Sequence, residues 1–402
     1  MSALVTDAYG RICLCITRSL GGKNIKVVCG DENKFAMSFY SKYCKNYFIY
    51  PSYRNEPTAF ISELLRKVKF QRFDVIIPAG PPTTLLLSQY KTKFEKYTKV
   101  AVSEWPLISK VVDKAIMTRW AYTHNFPVPS TAYPEKTDDL RVLTKNLNYP
   151  VVIKPRRRGG SWGVCYAYTE KDLISKWNYV HETFGSFPVV QEYLCGPGLG
   201  VECLFNRGEP RAIFVHKRLR EYPPSGGTST LRESVDAPEI RNLGVKMLEE
   251  LGWHGVAMVE FKLDNCGKPK FLEINPRFWG SLPLAVHSGV DFPWLYYQML
   301  RDGDVKTVFK YTVGIKSRWT LWGDLIQLIQ IFRSENKKFP KALADFFRFY
   351  GGKYDEISLD DPKPIVGNII YHFNRIISDR GFEIFVRRRP TPNRLRSQYD
   401  LM

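Results

Sequence analysis

Two short apolar segments within residues 256–277, separated by the turn-forming sequence Asp-Asn-Cys-Gly, constrain this chain more than any other feature. The first segment carries Glu260, and the second carries Glu273 and Asn275 two residues apart. Side chains two apart on a strand point to the same face, so the pattern predicts a hairpin with three oxygen-bearing side chains on one face. Two carboxylates and an amide oxygen suit a hard cation such as Mg²⁺, and Arg277 at the rim suits a phosphoryl group bound to that metal.

A basic segment upstream of this hairpin is the second informative feature. Residues 151–154 form an apolar run that ends in Lys154, just before a proline, which predicts a lysine at the end of a strand. The loop that follows contains Gly159, Gly160 and Ser161. Glycine adopts the backbone conformations that turn N–H groups toward phosphate oxygens, so the segment predicts a phosphate-binding loop. A surface lysine followed by a simple hairpin turn is the alternative.

In their order along the chain, these motifs resemble those of the ATP-grasp superfamily, and within it the carbamoyl-phosphate-synthase-like carboxylate–amine ligases. The resemblance covers residues 105–300 well and residues 1–100 more loosely. Each motif is common by itself, whereas seven in order at plausible spacings form a specific pattern. The motifs are Asp113-Lys114, Ile153-Lys154-Pro155, Gly159-Gly160-Ser161, Gln191 to Leu194, Glu202, Glu260, and Glu273 to Arg277.

The resemblance implies an α/β ATP-grasp fold with α+β lobes. Strands alternate with helices near the start of the chain, which favours a small parallel sheet, and residues 1–105 would form this pre-ATP-grasp domain. Residues 106–310 would form the ATP-grasp domain, with a smaller lobe at about 115–190 and a larger lobe at about 191–310. Residues 311–402 change to apolar, aromatic helices and a basic tail, which predicts a helical C-terminal extension.

ATP and Mg²⁺ are the cofactors that the resemblance implies, held between the two lobes. Lys114 and Lys154 would hold the α- and β-phosphates beneath the glycine loop, and Glu202 would accept both ribose hydroxyls. The strand segment Gln191, Glu192, Tyr193 and Leu194 would line the adenine slot. Two Mg²⁺ ions are expected, bound by Glu260, Glu273 and Asn275. Arg277 and Lys154 are the expected catalytic residues, since they would stabilise the transferring phosphoryl group.

The segment 216–234 is dense in arginine, glycine and hydroxyl groups, and it resembles the substrate loop of the same ligases. Arg218 and Arg220 would bind a substrate carboxylate through paired N–H groups. The backbone at Ser225, Gly226 and Gly227 would donate N–H groups to an oxyanion. An ordinary charged surface loop is the alternative interpretation.

The expected activity is that of an ADP-forming ligase. A substrate carboxylate would attack the γ-phosphorus of ATP, and an amine would then displace phosphate from the acyl phosphate. The partners would be a small-molecule or nucleotide-linked carboxylate and an amine, with no nucleic acid. Two alternatives stay open: an enzyme that makes carbamate or carbamoyl phosphate from bicarbonate, and a non-catalytic nucleotide-binding or basic nucleic-acid-binding protein.

The composition of the chain indicates the kind of partner and the compartment to expect. The formal net charge of +19 over 402 residues favours acidic substrates or anionic surfaces, with simple solubility as the alternative. The eight cysteines have no CxxC spacing, which predicts reduced core residues rather than disulfides or a zinc site. No signal peptide or membrane span is recognisable, so a cytoplasmic location is expected. The aromatic C-terminal helices and basic tail predict either packing against the core or peripheral contact with an anionic membrane.

Overall fold

A five-stranded parallel sheet opens the chain, as the alternation of strands and helices predicted. The computed structural model describes residues 1–222, 227–334, 339–348 and 351–378. The strand order is β3-β2-β1-β4-β5, and the inner strands are apolar runs buried on both faces, which is typical of a parallel sheet covered by helices. Its elements are β1 (Ser2–Val5), α1 (Arg11–Gly21), β2 (Lys26–Asp31), β3 (Cys44–Ile49), α2 (Pro57–Phe70), β4 (Val75–Ile77), α3 (Pro81–Gln89), α4 (Lys91–Phe94) and β5 (Lys99–Val100).

The turn from β1 into α1 is fixed by a buried carboxylate. Asp7 has a φ of 61° and is 3% exposed. Its carboxylate accepts hydrogen bonds from the hydroxyls of Thr6 and Thr83, both at 2.6 Å, and from the backbone N–H of Gly80 at 2.8 Å. These hydrogen bonds fix the turn so that the first helical residue, Arg11, lies at the carboxyl edge of the sheet, where open parallel sheets bind ligands.

A smaller, four-stranded antiparallel sheet follows, with the order β6-β9-β7-β8. It has its own core, centred on Trp177, which is 1% exposed. The predicted strand ending at Lys154 is present, because the apolar residues before it are buried between β8 and β9. The elements are α5 (Trp105–Val111), α6 (Lys114–Thr123), β6 (Thr131–Ala132), α7 (Asp139–Leu143), β7 (Val151–Lys154), β8 (Cys165–Ala167), α8 (Glu170–Phe184) and β9 (Val189–Glu192).

A six-stranded antiparallel sheet, β14-β13-β10-β11-β12-β15, forms the third layer. Its last two long strands pair as the predicted hairpin within residues 256–277. Apolar side chains from this sheet and from the parallel sheet share one buried cluster with Trp279 and Tyr296, so the two sheets pack together. The elements are β10 (Gly198–Asn206), β11 (Glu209–Tyr222), β12 (Thr228–Ser234), α9 (Pro238–Glu250), β13 (Gly255–Leu263), β14 (Pro269–Asn275), α10 (Leu282–His287), α11 (Phe292–Asp302) and β15 (Lys316–Arg318).

Two local predictions differ from the structure. The prediction of a loop over 216–234 is wrong, because its described residues complete β11 and β12. The charged residues of this segment are not all exposed to solvent. Arg232 is fully buried and pairs with Asp355 from the C-terminal part of the chain. The sequence also predicts a hinge over residues 195–200 from their glycines and proline, but the connection is shorter because β10 already begins at Gly198.

The C-terminal region is not only helical. Its first element, β15, pairs with β12 and adds an edge strand to the six-stranded sheet. Helices α12 (Leu325–Ser334), α13 (Phe339–Phe347) and α14 (Pro364–Ser378) follow a π-helical turn. The predicted basic tail lies outside the described residues. None of the helices described is long and apolar enough to cross a membrane.

No disulfide links the eight cysteines, all of which lie in the described ranges. Four of them are buried, as predicted for core residues, whereas Cys195 and Cys266 are exposed.

Candidate functional site

The three oxygen-bearing side chains of the hairpin converge on one face of the large sheet. Glu260 on β13 lies directly opposite Glu273 on β14, and Met258 lies opposite Asn275. The amide Nδ2 of Asn275 donates to Glu260 Oε1 at 2.9 Å and to Glu273 Oε1 at 3.3 Å. Two carboxylates therefore lie within reach of one small amide, which is the convergence that the period of the strand predicted.

Two lysines from other elements neutralise this acidic face. Lys114, the first residue of α6, places Nζ 2.9 Å from Glu273 Oε2 and also donates to the carbonyl of Arg158. Lys154, at the end of β7, donates to Gln191 Oε1 at 2.6 Å. Burial alone would raise the pKa of Glu273, but Lys114 and Lys154 lower it to about 2. Burial lowers the pKa of Lys154 to about 8.

Asp113 ties the start of α6 to the glycine loop. Its side chain caps the helix by accepting from the N–H groups of Ala115 at 3.0 Å and Ile116 at 3.2 Å. The same carboxylate pairs with Arg156 at 2.9 Å and Arg157 at 3.2 Å. Burial raises the pKa of Asp113, but these bonds outweigh burial and lower it overall. One carboxylate thus fixes both the lysine-bearing helix and the entry to the loop.

The glycine loop lies over Arg277. Gly160 and Ser161 have φ angles of 65° and 62°, a left-handed conformation that explains a glycine at the first position. A Cβ on Gly159 would lie 4.0 Å from Arg277 Nη2. Arg277 itself is held by the oxygen of Asn275 and by the carbonyl of Phe278, both at 2.8 Å.

The proposed adenine segment comprises the end of β9, an inner strand of the four-stranded sheet, and the two residues that follow it. Gln191 is 2% exposed, and its side chain bonds Lys154 and Thr131. Glu192 accepts from the N–H of Ser130 at 3.0 Å. Tyr193 and Leu194 follow where β9 ends, Tyr193 exposed and Leu194 buried.

Glu202 is not brought into the open cleft. It is fully buried on β10, with Oε1 2.7 Å from His216 Nδ1 and 2.9 Å from Ser281 Oγ. Burial raises its pKa. His216 and Ser281 line the cleft above it, so a ribose would have to displace them to reach Glu202.

The two arginines predicted to bind substrate lie in different places. Arg218 lines the cleft, where it pairs with Glu260 at 2.5 Å and with Glu221 at 3.1 Å. Arg220 pairs instead with Asp324 and Asp345 of the C-terminal region. Arg220 therefore lies outside the cleft lining, with its charge paired elsewhere.

Of the predicted oxyanion donors, Gly227 lines the cleft and accepts from Arg218 through its carbonyl at 3.2 Å. Ser225 and Gly226 lie outside the described residues.

The hairpin acids, Asn275, Arg277, Arg218 and the glycine loop line one cleft of about 540 Å³ that is open to solvent. Lys114, Lys154, Glu202 and residues 191–194 lie outside this lining. The sequence patterns did not indicate several residues of its lining: Arg11, Ser229, Met258, Gly280 and Ser281. Arg11 had a usable signal: it begins a helix directly after the first strand of a parallel sheet, the position at which such sheets bind ligands. Gly280 and Ser229 carried no such signal.

The donor set fits a divalent cation. Within the described residues there is no cluster of three His, Cys, Asp or Glu side chains arranged for a metal, so the amide of Asn275 has to complete the set. Glu260 and Glu273 supply charge, and a half turn of the Asn275 amide, which gives up its hydrogen bond from Arg277, would present its oxygen to the same point. Carboxylate and amide oxygens are the ligands that Mg²⁺ accepts.

Comparisons with known proteins show similarity over parts of the chain. Residues 187–320 match a family model described as ATP-grasp in the biosynthetic pathway with Ter operon. The chain is 24% identical over 208 residues to the D-alanine–D-alanine ligase of Ectopseudomonas mendocina, covering 48% of this chain and 65% of that protein. It is 24% identical over 198 residues to the carbamoyl phosphate synthase large chain of Methanobrevibacter smithii, covering 46% of this chain and 19% of that protein.

Solved structures extend the likeness to most of the fold. The biotin carboxylase–β,γ-ATP complex from Campylobacter jejuni has a TM-score of 0.67 and 17% sequence identity, covering 78% of this chain and 74% of that one. The chain spans less than two thirds of the two curated relatives named above, at 65% and 19% of their lengths. These likenesses concern the fold and leave the substrates open.

Proposed function

We propose that this chain, whose residues 187–320 match an ATP-grasp family model, is an ATP-grasp protein and an ADP-forming ligase that joins a carboxylate to an amine. The observation that carries the proposal is the convergence of Glu260, Glu273 and Asn275 beside Lys114, in a cleft covered by the glycine loop. These are the groups needed to hold a triphosphate and to stabilise charge on a phosphoryl group in transfer.

The proposed nucleotide site draws on both antiparallel sheets. Lys114 and Lys154 hold the α- and β-phosphates, and the backbone of the loop at Gly159 and Gly160 covers the triphosphate. The segment 191–194 lines the adenine slot. Bound by Glu260, Glu273 and Asn275, one or two Mg²⁺ ions would neutralise the β- and γ-phosphate oxygens.

The proposed chemistry has two displacements. A carboxylate oxygen of the substrate forms a bond to the γ-phosphorus, and the bond from that phosphorus to the β–γ bridging oxygen breaks, which releases ADP. The amine nitrogen then bonds to the acyl carbon, phosphate leaves with the former carboxylate oxygen, and the amine loses a proton to solvent. Arg277 stabilises the phosphoryl group in both steps, and positioning replaces a protein nucleophile.

An ADP-release assay combined with thermal shifts tests the proposal. MgATP should raise the unfolding temperature, and an accepted acid should raise it further, since ligands that bind only the folded state stabilise it by mass action. ADP should form only when an acid is present, and amide product only when an amine is added. Absence of nucleotide binding together with absence of ADP formation for every acid would contradict the proposal.

Two further experiments address the alternative functions. Bicarbonate with ammonia replaces the acid and amine, and turnover with this pair alone would favour a carbamate- or carbamoyl-phosphate-forming enzyme. A salt titration of nonspecific DNA binding covers the basic nucleic-acid binder. Tight binding with a steep salt slope and no ATP turnover would favour that class instead.

We also propose that the C-terminal helices contact an anionic membrane surface. Phe332, Phe347 and Phe373 are 56%, 76% and 63% exposed, on α12, α13 and α14 respectively. The chain carries a formal net charge of +19, which favours anionic lipid. Cosedimentation with vesicles of neutral and of anionic lipid tests this, and equal recovery with both lipids would contradict it.

A further inference from the structure

Arg11 brings a positive charge into the cleft from the N-terminal domain. It is the first residue of α1, is 9% exposed and lines the cleft that also contains Arg277. A buried guanidinium normally has every N–H bonded. Arg11 Nη1 has no hydrogen-bond partner within the described part of the chain, so this buried side chain presents an unused donor in the cleft.

The Arg11 side chain is held mainly by residues outside the cleft lining. Its guanidinium stacks on the ring of Trp319, with Cζ 3.9 Å from the ring centroid. Its Nε lies 3.5 Å from Asp355 Oδ2, an ion pair that is longer than a hydrogen bond. Nη2 lies where Gly280 leaves room, since a Cβ on Gly280 would be 2.6 Å from that nitrogen. Every one of these contacts leaves the Nη1 edge unused.

The local charge balance is positive. Asp355 is fully buried and is shared between Arg11 and the fully buried Arg232. The neighbouring Glu356 is buried too, and burial together with Asp355 raises its pKa to about 8, so it is mostly neutral at pH 7. Burial lowers the pKa of Arg11 to about 10, which leaves it protonated. Arg11 and Arg232 therefore share the carboxylate of Asp355.

The other cleft arginines have both terminal nitrogens bonded, although Arg218 Nε also lacks a partner within the described residues. Arg218 places its two terminal nitrogens on Glu221 and Glu260. Arg277 bonds Asn275 and Phe278 and lies under the phosphate loop. The first turn of α1 adds partial positive charge near Arg11, because no side chain caps it.

We infer that Arg11 and the N-terminal turn of α1 form a second anion-binding subsite in this cleft, and that the activated acid carries a second anionic group, a carboxylate or a phosphate. This inference rests on the proposed ligase function, because the first carboxylate is the one that attacks ATP. The subsite would hold the far end of the acid, so that its reacting carboxylate faces Arg277.

Binding of simple dianions tests the subsite without knowledge of the natural substrate. The protein is first saturated with Mg²⁺ and the non-hydrolysable analogue β,γ-imido-ATP, which occupies the phosphate positions beneath the glycine loop. Succinate and inorganic phosphate are then titrated by calorimetry, with butyrate as the monoanionic control for succinate. The ratio of the succinate and phosphate affinities distinguishes a carboxylate-selective from a phosphate-selective subsite.

The expected result is specific to Arg11. Wild type binds one or both dianions more tightly than butyrate, and Arg11→Ala weakens that binding about tenfold or more, as expected for loss of a charge-assisted hydrogen bond. Arg11→Lys keeps the charge without the planar fork and should fall between the two. Arg66→Ala removes an exposed arginine, 61% accessible on α2, and should match wild type. The affinity for β,γ-imido-ATP should stay unchanged in all three variants.

Failure of the subsite is distinguishable from failure of the ligase proposal. If β,γ-imido-ATP binds but neither dianion is preferred over butyrate, or Arg11→Ala and Arg11→Lys both bind dianions like wild type, the subsite is overturned and the ligase proposal stands. If the analogue itself does not bind, both proposals fall.

Discussion

Lys114 and Glu273 form an ion pair between α6 and β14, with Nζ 2.9 Å from Oε2. Each partner is a candidate for the nucleotide–metal site, and without nucleotide each neutralises the other. A triphosphate offers Lys114 new oxygen partners and a divalent ion offers Glu273 a new positive partner, so ATP and Mg²⁺ replace the pair best when they bind together. The pair therefore favours joint binding of metal and nucleotide over binding of either alone.

Replacement of Glu273 by Gln tests the acidic face directly. Gln keeps the shape but removes the charge that Lys114 and a metal both need, so acid-dependent ADP formation should fall by about 100-fold or more. Glu63→Gln is the matched control, since Glu63 also pairs with a basic residue, Arg66, but on the surface of α2. Normal turnover by Glu273→Gln would mean that the metal assignment is wrong.

The pH dependence of nucleotide binding should report Lys154. Burial lowers its pKa to about 8, and only the protonated form neutralises phosphate. The ratio kcat/KM for ATP reports the ionisation of groups in the free enzyme. It should therefore fall as pH rises through about 8. Since the folded pKa lies below the ordinary lysine value, the charged form costs stability below pH 8, and that cost disappears as pH rises.

Lys154→Arg separates this residue from other titrating groups. An arginine stays protonated over the whole range, so the decline above pH 8 should move to higher pH even if the maximal rate is lower. A decline at the same pH in Lys154→Arg would assign it to another group.

Asp355 should matter more for stability than its position near the C-terminal region suggests. It is fully buried, pairs with Arg11 and Arg232, and accepts from Ser317 Oγ at 2.8 Å. Asp355→Ala leaves two buried guanidinium groups without their carboxylate, so the free energy of unfolding should fall by about 3–5 kcal/mol. Urea unfolding measures this change.

Asp360→Ala is the control for that measurement. Asp360 is 60% exposed and pairs with Lys42 on the surface, so its loss should change the free energy of unfolding by less than about 1 kcal/mol. Equal effects of the two substitutions would contradict the stabilising role of the buried cluster.

The sequence predicts the parts of the site that depend on local period. The convergence of Glu260, Glu273 and Asn275 follows from strand geometry within one hairpin, and the cap at Asp113 follows from helix geometry. The pairing of Arg11 with Asp355 joins the first helix to the C-terminal region, and no local pattern encodes such a contact.

The sequence prediction was wrong where charged side chains form ion pairs inside the protein. Arg220 and Arg232 suggested an exposed loop, yet they lie in strands and bond acids from the C-terminal region. Glu202 was placed by its distance from the hinge, whereas on β10 its carboxylate is fully buried beside His216 and Ser281. Single-residue offsets decide such positions, and register across a sheet is set by distant partners.

Gly280→Ala should displace the Arg11 guanidinium while keeping the arginine, and so tests whether its position matters. The three nearest atoms to a Cβ at this position all belong to the Arg11 side chain, at 2.6, 3.6 and 3.8 Å. Because only the end of a flexible side chain has to move, the free energy of unfolding should change by less than about 1 kcal/mol. Displaced from its place beside Trp319, Arg11 should bind succinate or phosphate less well, and β,γ-imido-ATP should bind as before. Calorimetry under the same saturating conditions measures both affinities, and wild-type dianion binding by a stable Gly280→Ala protein would show that the placement of this guanidinium does not control the subsite.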